Sequence, residues 1–167
     1  MQAPFNGLSI ARDLAARGYK VFPLKPGSKA PANANGFKSA TSDSDAWHDA
    51  TGLWWADTTC NVGIATGVEH PNGGYLTVVD LDRHPDGPDG VESWAHWCSE
   101  HTALPPTMCV KTPQNGLHLY FLSPIPLPTR GNIRPGIDVK GEGGYVVAPG
   151  SITDHGRYEL GILIDLA

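Results

Sequence analysis

At 167 residues, 40% apolar and 17% charged, the chain has the size and composition of one folded soluble domain; no internal repeat or low-complexity segment is visible, and no apolar run approaches the length needed to cross a membrane. Its three cysteines, Cys60, Cys98 and Cys109, are odd in number and without paired spacing, which excludes a disulfide framework and points to a reducing cytoplasm. The net charge of −5 argues on its own against a nucleic-acid partner, yet it is unevenly spread: residues 1 to 40 set six basic residues against Asp13, and residues 41 to 110 set eleven acids against Arg83.

Leu8, Ala11, Leu14 and Ala15 recur at helical spacing between Asn6, a capping residue, and Gly18, a stop residue, and predict a first helix. Arg12, Asp13 and Arg17 interrupt that pattern, so it is not a signal peptide. Tyr19 to Leu24 reads as a strand, with Pro23 marking an edge or a strand end. Lys25-Pro-Gly-Ser-Lys-Ala-Pro31 then forms a stiff loop presenting two lysines, either a phosphate contact centred on Lys29 or an exposed basic turn. Ser42 to Trp55 predicts a second helix or a helical hairpin broken at Gly52, with tryptophans that suit core packing better than base stacking.

Val62 to Thr66 reads as a short strand. Tyr75-Leu-Thr-Val-Val-Asp-Leu-Asp82 is the dominant one, an apolar β-branched run bounded by Gly73-Gly74 and Asp86-Gly87-Pro88. Alternation sets Asp80 and Asp82 on one face at its carboxyl end, where two carboxylates repel unless a cation joins them. A helix is predicted over about Asp89 to His101. His96, Cys98, His101 and Cys109 match no compact zinc motif, so zinc is not expected. The remainder predicts antiparallel strands at Met108 to Lys111, Leu117 to Leu122, Gly136 to Lys140, Tyr145 to Ala148 and Arg157 to Leu160, making the class α+β. In Gly116-Leu-His-Leu-Tyr-Phe121, Gly116, His118 and Tyr120 share one face, and in Gly136-Ile-Asp-Val-Lys-Gly141 so do Asp138 and Lys140. His118 reads by default as a satisfied core or edge histidine. A third carboxylate on an apolar strand is costly to bury without a cationic partner, so isolated polar positions on three strands could converge on one site.

The ordered set Gly18 to Pro31, Gly36-Phe-Lys-Ser-Ala-Thr41, Asn61-Val-Gly-Ile-Ala-Thr-Gly67, Val79-Asp-Leu-Asp82, Gly116 to Phe121, Gly136 to Gly141 and Gly144-Tyr-Val-Val-Ala-Pro149 resembles the bifunctional DNA primase/polymerase domains of the archaeo-eukaryotic primase superfamily, common at the front of phage and plasmid replication proteins. The resemblance covers nearly all of residues 1–167, read as one catalytic domain. It implies a small mixed helix and strand module packed on an RNA-recognition-like antiparallel sheet module, with the active cleft between them. It also implies Asp80, Asp82 and Asp138 as metal-binding catalytic acids, and His118 as a contact to the nucleotide phosphates. On physical grounds Lys29 or Lys140 is expected to join His118 on the phosphates, with Gly116 also counted as nucleotide-binding. Where relatives often carry a glycine-rich or serine-containing turn before the histidine, this chain has Thr112-Pro-Gln-Asn-Gly116.

The activity implied is primer synthesis or DNA polymerisation on a single-stranded DNA template, from a primer strand and NTP or dNTP, with two Mg²⁺ or Mn²⁺ ions. A catalytically silent single-stranded DNA-binding module and a metal-dependent nuclease are the alternatives. The apolar run Gly161-Ile-Leu-Ile-Asp-Leu166 reads as the start of another element, so a longer replication protein carrying a linked helicase, working in the host cytoplasm, is expected.

Overall fold

The computed structural model describes residues 5–48, 58–102 and 104–162. In chain order the regular elements are α1 (Gly7–Ala16), β1 (Val21–Leu24), β2 (Asn61–Ala65), β3 (Tyr75–Leu81), α2 (Gly90–Glu100), β4 (Cys109–Lys111) and β5 (Leu117–Ser123). They continue with β6 (Arg130–Arg134), β7 (Ile137–Lys140), β8 (Tyr145–Val147), β9 (Ile152–Thr153), β10 (Gly156–Arg157) and β11 (Glu159–Ile162). Helices and antiparallel sheets together make the α+β class that the sequence predicts. The chain divides into two compact units, Met1–Ala65 with Tyr145–Arg157, and Thr66–Gly144 with Tyr158–Ala167. Among the described residues no helix is long and apolar enough to cross a membrane.

In the first unit, α1 begins where the Asn6 side chain accepts the Ser9 N–H at 3.0 Å. It ends before Gly18, whose φ of +91° suits only glycine comfortably. Its inner face is Ala11, Leu14 and Ala15. The sheet runs β1-β2-β8, antiparallel, with every residue of β1 and β2 buried. Pro23 is tolerated because β1 is an edge. Phe22 pairs with Gly63, where a Cβ would come within 2.6 Å of the phenyl ring, so the glycine makes room for the aromatic core. Fully buried Asn61 donates to the carbonyls of Ser28 and Ile152 at 3.1 and 2.7 Å, fastening the Lys25–Pro31 loop to this unit. The Tyr145 hydroxyl adds a second tie, donating to the Lys29 carbonyl at 3.1 Å.

The second unit is a six-stranded antiparallel sheet in the order β11-β4-β5-β3-β7-β6. The long strand β3 pairs along its whole length with β5, and its last four residues also pair with β7. Leu76, Val78, Leu81, Val110, Tyr120 and Ile137 are its buried centre. α2 packs on β3 and β7, capped by the Asp89 carboxylate, which accepts the Glu92 N–H at 3.0 Å.

Several expectations need correction. The helix expected over Ser42 to Trp55 is, where described, a short 3₁₀ turn, Ser44–His48; Trp47 is buried, and Trp54 and Trp55 lie outside the described residues. The sequence does not predict β6, because all five of its residues are exposed and carry no apolar alternation. The strand expected at Arg157 to Leu160 is split: Arg157 pairs in the small β9–β10 hairpin and Glu159 begins β11. Each unit is built from two separate stretches of chain, and β8 returns to the first sheet by pairing with β2.

Candidate active site

The registers of three neighbouring strands build one row of polar side chains. Asp80 on β3 lies directly opposite His118 on β5 and directly opposite Asp138 on β7. Residues paired in this way project from the same face, so the three isolated polar positions meet at the sheet centre. Lys140, opposite Val78, stands one row along. Asp82 follows the last residue of β3 and is fixed by its backbone: its N–H donates to the Gly136 carbonyl at 2.8 Å, and its carbonyl accepts the Gly90 N–H at 2.7 Å.

That close approach depends on glycine. A Cβ on Gly90 would stand 2.0 Å from the Gly136 carbonyl oxygen, and one on Gly136, itself at φ +73°, would stand 2.6 Å from the Gly90 nitrogen. On the other side, a Cβ on Gly116 would stand 2.3 Å from the Leu81 carbonyl oxygen. The Thr112–Gly116 turn that feeds β5 is closed by Thr112, whose hydroxyl accepts the Gly116 N–H at 3.0 Å, with Asn115 in the left-handed region at φ +63°.

Asp80, Asp82 and Asp138 each bring a carboxylate oxygen within 4.8 Å of the others. Asp80 is buried, with one oxygen 3.5 Å from His118 Nε2 and the other 3.7 Å from Lys140 Nζ. Lys140 donates to Asp138 Oδ2 at 2.9 Å, and the Asn132 backbone N–H donates to the other Asp138 oxygen at 2.7 Å. Burial, then the charges of Asp80 and Asp138, push the Asp82 carboxyl above its ordinary range against the pull of His84 and Lys140. Burial also acts to raise Asp138, but the Lys140 hydrogen bond, the Asn132 N–H and the Lys140 charge outweigh it and hold that carboxyl low. Burial acts to lower Lys140, but its bond to Asp138 and the charges of Asp80, Asp138 and Asp82 keep its ammonium above the usual lysine range.

Of the residues singled out from the sequence, the structure brings together Asp80, Asp82, Asp138, His118 and Lys140. Gly116 is buried against the end of β3. Lys29 belongs to the first unit, where its side chain is exposed. Sequence reasoning missed the backbone of Asn132, at φ +51° in the irregular part of β6, and Tyr158, whose ring centroid lies 5.6 Å from that of His118. The first leaves no side-chain signature, and the second sits beside a strand whose register the sequence does not reveal.

The donor set fits a hard divalent cation: three carboxylates, partly buried, with an oxygen of each within 4.8 Å of the others, and with burial first and the neighbouring carboxylates second raising Asp82. None of the curated proteins compared with the chain matches it. The family model described as bifunctional DNA primase/polymerase, N-terminal, matches residues 11–161, a span that takes in most of both units and every member of the acid cluster. The chain therefore belongs to the bifunctional DNA primase/polymerase family.

Proposed function

We propose that this chain carries out template-directed nucleotidyl transfer on single-stranded DNA, extending a primer or laying one down. The observation that carries the reading is the convergence of Asp80, Asp82 and Asp138 on one sheet face, within 4.8 Å of each other and beside His118 and Lys140. Asp80 and Asp82 would hold both of two Mg²⁺ or Mn²⁺ ions, and Asp138 the one nearer the primer end. When bound, such ions lower the pKa of the primer 3′-hydroxyl and neutralise the pyrophosphate leaving group.

The chain's own groups do the rest. Asp80, packed against His118 and Lys140, presents its oxygens in a fixed direction with little side-chain entropy left to lose on binding. His118 and Lys140 lie where anionic oxygens arriving at the acid cluster would find positive or donor groups, so both are assigned to the nucleotide phosphates. Gly116 gives β5 its close approach to β3 and so sets the depth of His118. The exposed Lys29, on a loop fastened by Asn61 and Tyr145, is assigned to the nucleic-acid or triphosphate chain. The family's description as an amino-terminal domain supports a longer protein; a cytoplasmic location and a linked helicase are part of the same proposal.

Incorporation of labelled nucleotide on primed and unprimed single strands, with either ion, tests the reading. Lengthening that requires metal supports it. Shortening of labelled DNA would favour a nuclease, and binding without turnover a silent DNA-binding module.

A further inference from the structure

The position of Lys140 bears on how the site loads. Its ammonium is 2.9 Å from Asp138 Oδ2 and 3.7 Å from Asp80 Oδ2, so it uses oxygens of two of the three carboxylates assigned to metal. A hard divalent ion needs those same lone pairs at about 2.0–2.1 Å, and it would bring two positive charges against the ammonium already there. Both cannot sit at full strength on one pair of oxygens. The lysine can leave: its side chain is one quarter exposed, it sits one row along from the acid row, and its stem is flexible. Asp138 keeps its orientation when it does, because the Asn132 N–H holds the other oxygen at 2.7 Å.

We propose that Lys140 is a built-in countercation that competes with divalent metal for Asp80 and Asp138, and that nucleotide phosphates receive its ammonium when metal displaces it. Metal and nucleotide then bind with positive coupling, because each relieves a cost the other meets: the metal frees the lysine and the triphosphate pairs it. This rests on the reading of the acids as metal ligands. It adds that loading with metal alone is opposed from within the chain, which favours entry of metal and nucleotide together.

The test is a titration of Mn²⁺ into wild type, Lys140→Gln and Lys140→Arg, with free Mn²⁺ followed by electron paramagnetic resonance. Each titration is run with and without a non-hydrolysable nucleoside triphosphate analogue. In the absence of the analogue, Lys140→Gln binds Mn²⁺ roughly tenfold more tightly than wild type, within the usual size of coupling between sites, and Lys140→Arg does not. The analogue raises Mn²⁺ affinity less in Lys140→Gln than in wild type. Equal or weaker Mn²⁺ binding by Lys140→Gln overturns the inference alone, whereas no Mn²⁺ binding by wild type in either condition overturns the metal-site reading and this inference with it. Should Lys140→Gln fail to fold, wild type is sufficient: the Lys140 side-chain resonance shifts on saturation with diamagnetic Mg²⁺, and an unshifted resonance overturns the proposal.

Discussion

Asp80 is the residue on which the site turns. It is 9% exposed, and a carboxylate so nearly buried is stable only with partners that meet its charge. Asp138 is the residue whose charge is best compensated, by Lys140 and by Asn132. Asp138→Asn keeps the shape but removes the charge, so incorporation should fall by more than the about 10–100-fold typical of outer partners in metal sites, with the fold retained by circular dichroism. A fall smaller than tenfold would remove Asp138 from the ligand set. Away from the site, burial pushes the Tyr19 hydroxyl up to about 12, against a small opposing pull from Arg17. The folded state therefore keeps this proton after the unfolded chain has lost it, so the contribution is whole below pH 10 and drains away as pH rises toward 12. Between about pH 9 and 11 that amounts to about 1 kcal/mol. Urea unfolding at the two pH values should show this extra alkaline loss in wild type and not in Tyr19→Phe.

At the scale of elements, the end of β3 depends on the backbone of its neighbours. Gly136→Ala combines a left-handed φ with a Cβ 2.6 Å from the Gly90 nitrogen, so it should cost more than about 1 kcal/mol and disturb Asp82, whose N–H bonds to the Gly136 carbonyl. The expected signature is a lower unfolding midpoint together with reduced incorporation. Asn6→Ala, which removes the cap of α1, should cost about 1 kcal/mol with incorporation unchanged when measured well below the unfolding temperature. The same contrast explains what the sequence could say. β3 is legible because its β-branched run is bounded by a glycine pair and by turn residues, and period-two alternation puts Asp80 and Asp82, and then Asp138 and Lys140, on shared faces. β6 is not legible: an exposed edge strand with a register shift has no pattern to read, and its contribution to the site is a backbone N–H, which almost any residue carries. The pairing of β8 with β2 joins segments some eighty residues apart and leaves no local trace.

Across the whole molecule, the acids are concentrated in the second unit. The sequence from Leu24 to Thr41 in the first unit carries Lys25, Lys29 and Lys38 and no acid, while the second unit holds the carboxylate cluster. A net charge of −5 therefore hides three exposed lysines in an acid-free stretch of the first unit, available to phosphates, and in the other unit an acid cluster whose chemistry requires cations. If those lysines track a single strand, affinity falls with added salt, and Lys25→Gln/Lys29→Gln/Lys38→Gln should flatten the slope of log K against log salt by about 0.7 for each phosphate that is no longer neutralised. An unchanged slope in fluorescence anisotropy would move the strand elsewhere. The most direct test of the account is incorporation on primed and unprimed single-stranded templates with Mg²⁺ or Mn²⁺, comparing wild type with Asp80→Ala/Asp82→Ala. Metal-dependent synthesis by the wild type and none by the folded variant is the expected result; synthesis that survives loss of both acids would contradict their assignment as metal ligands.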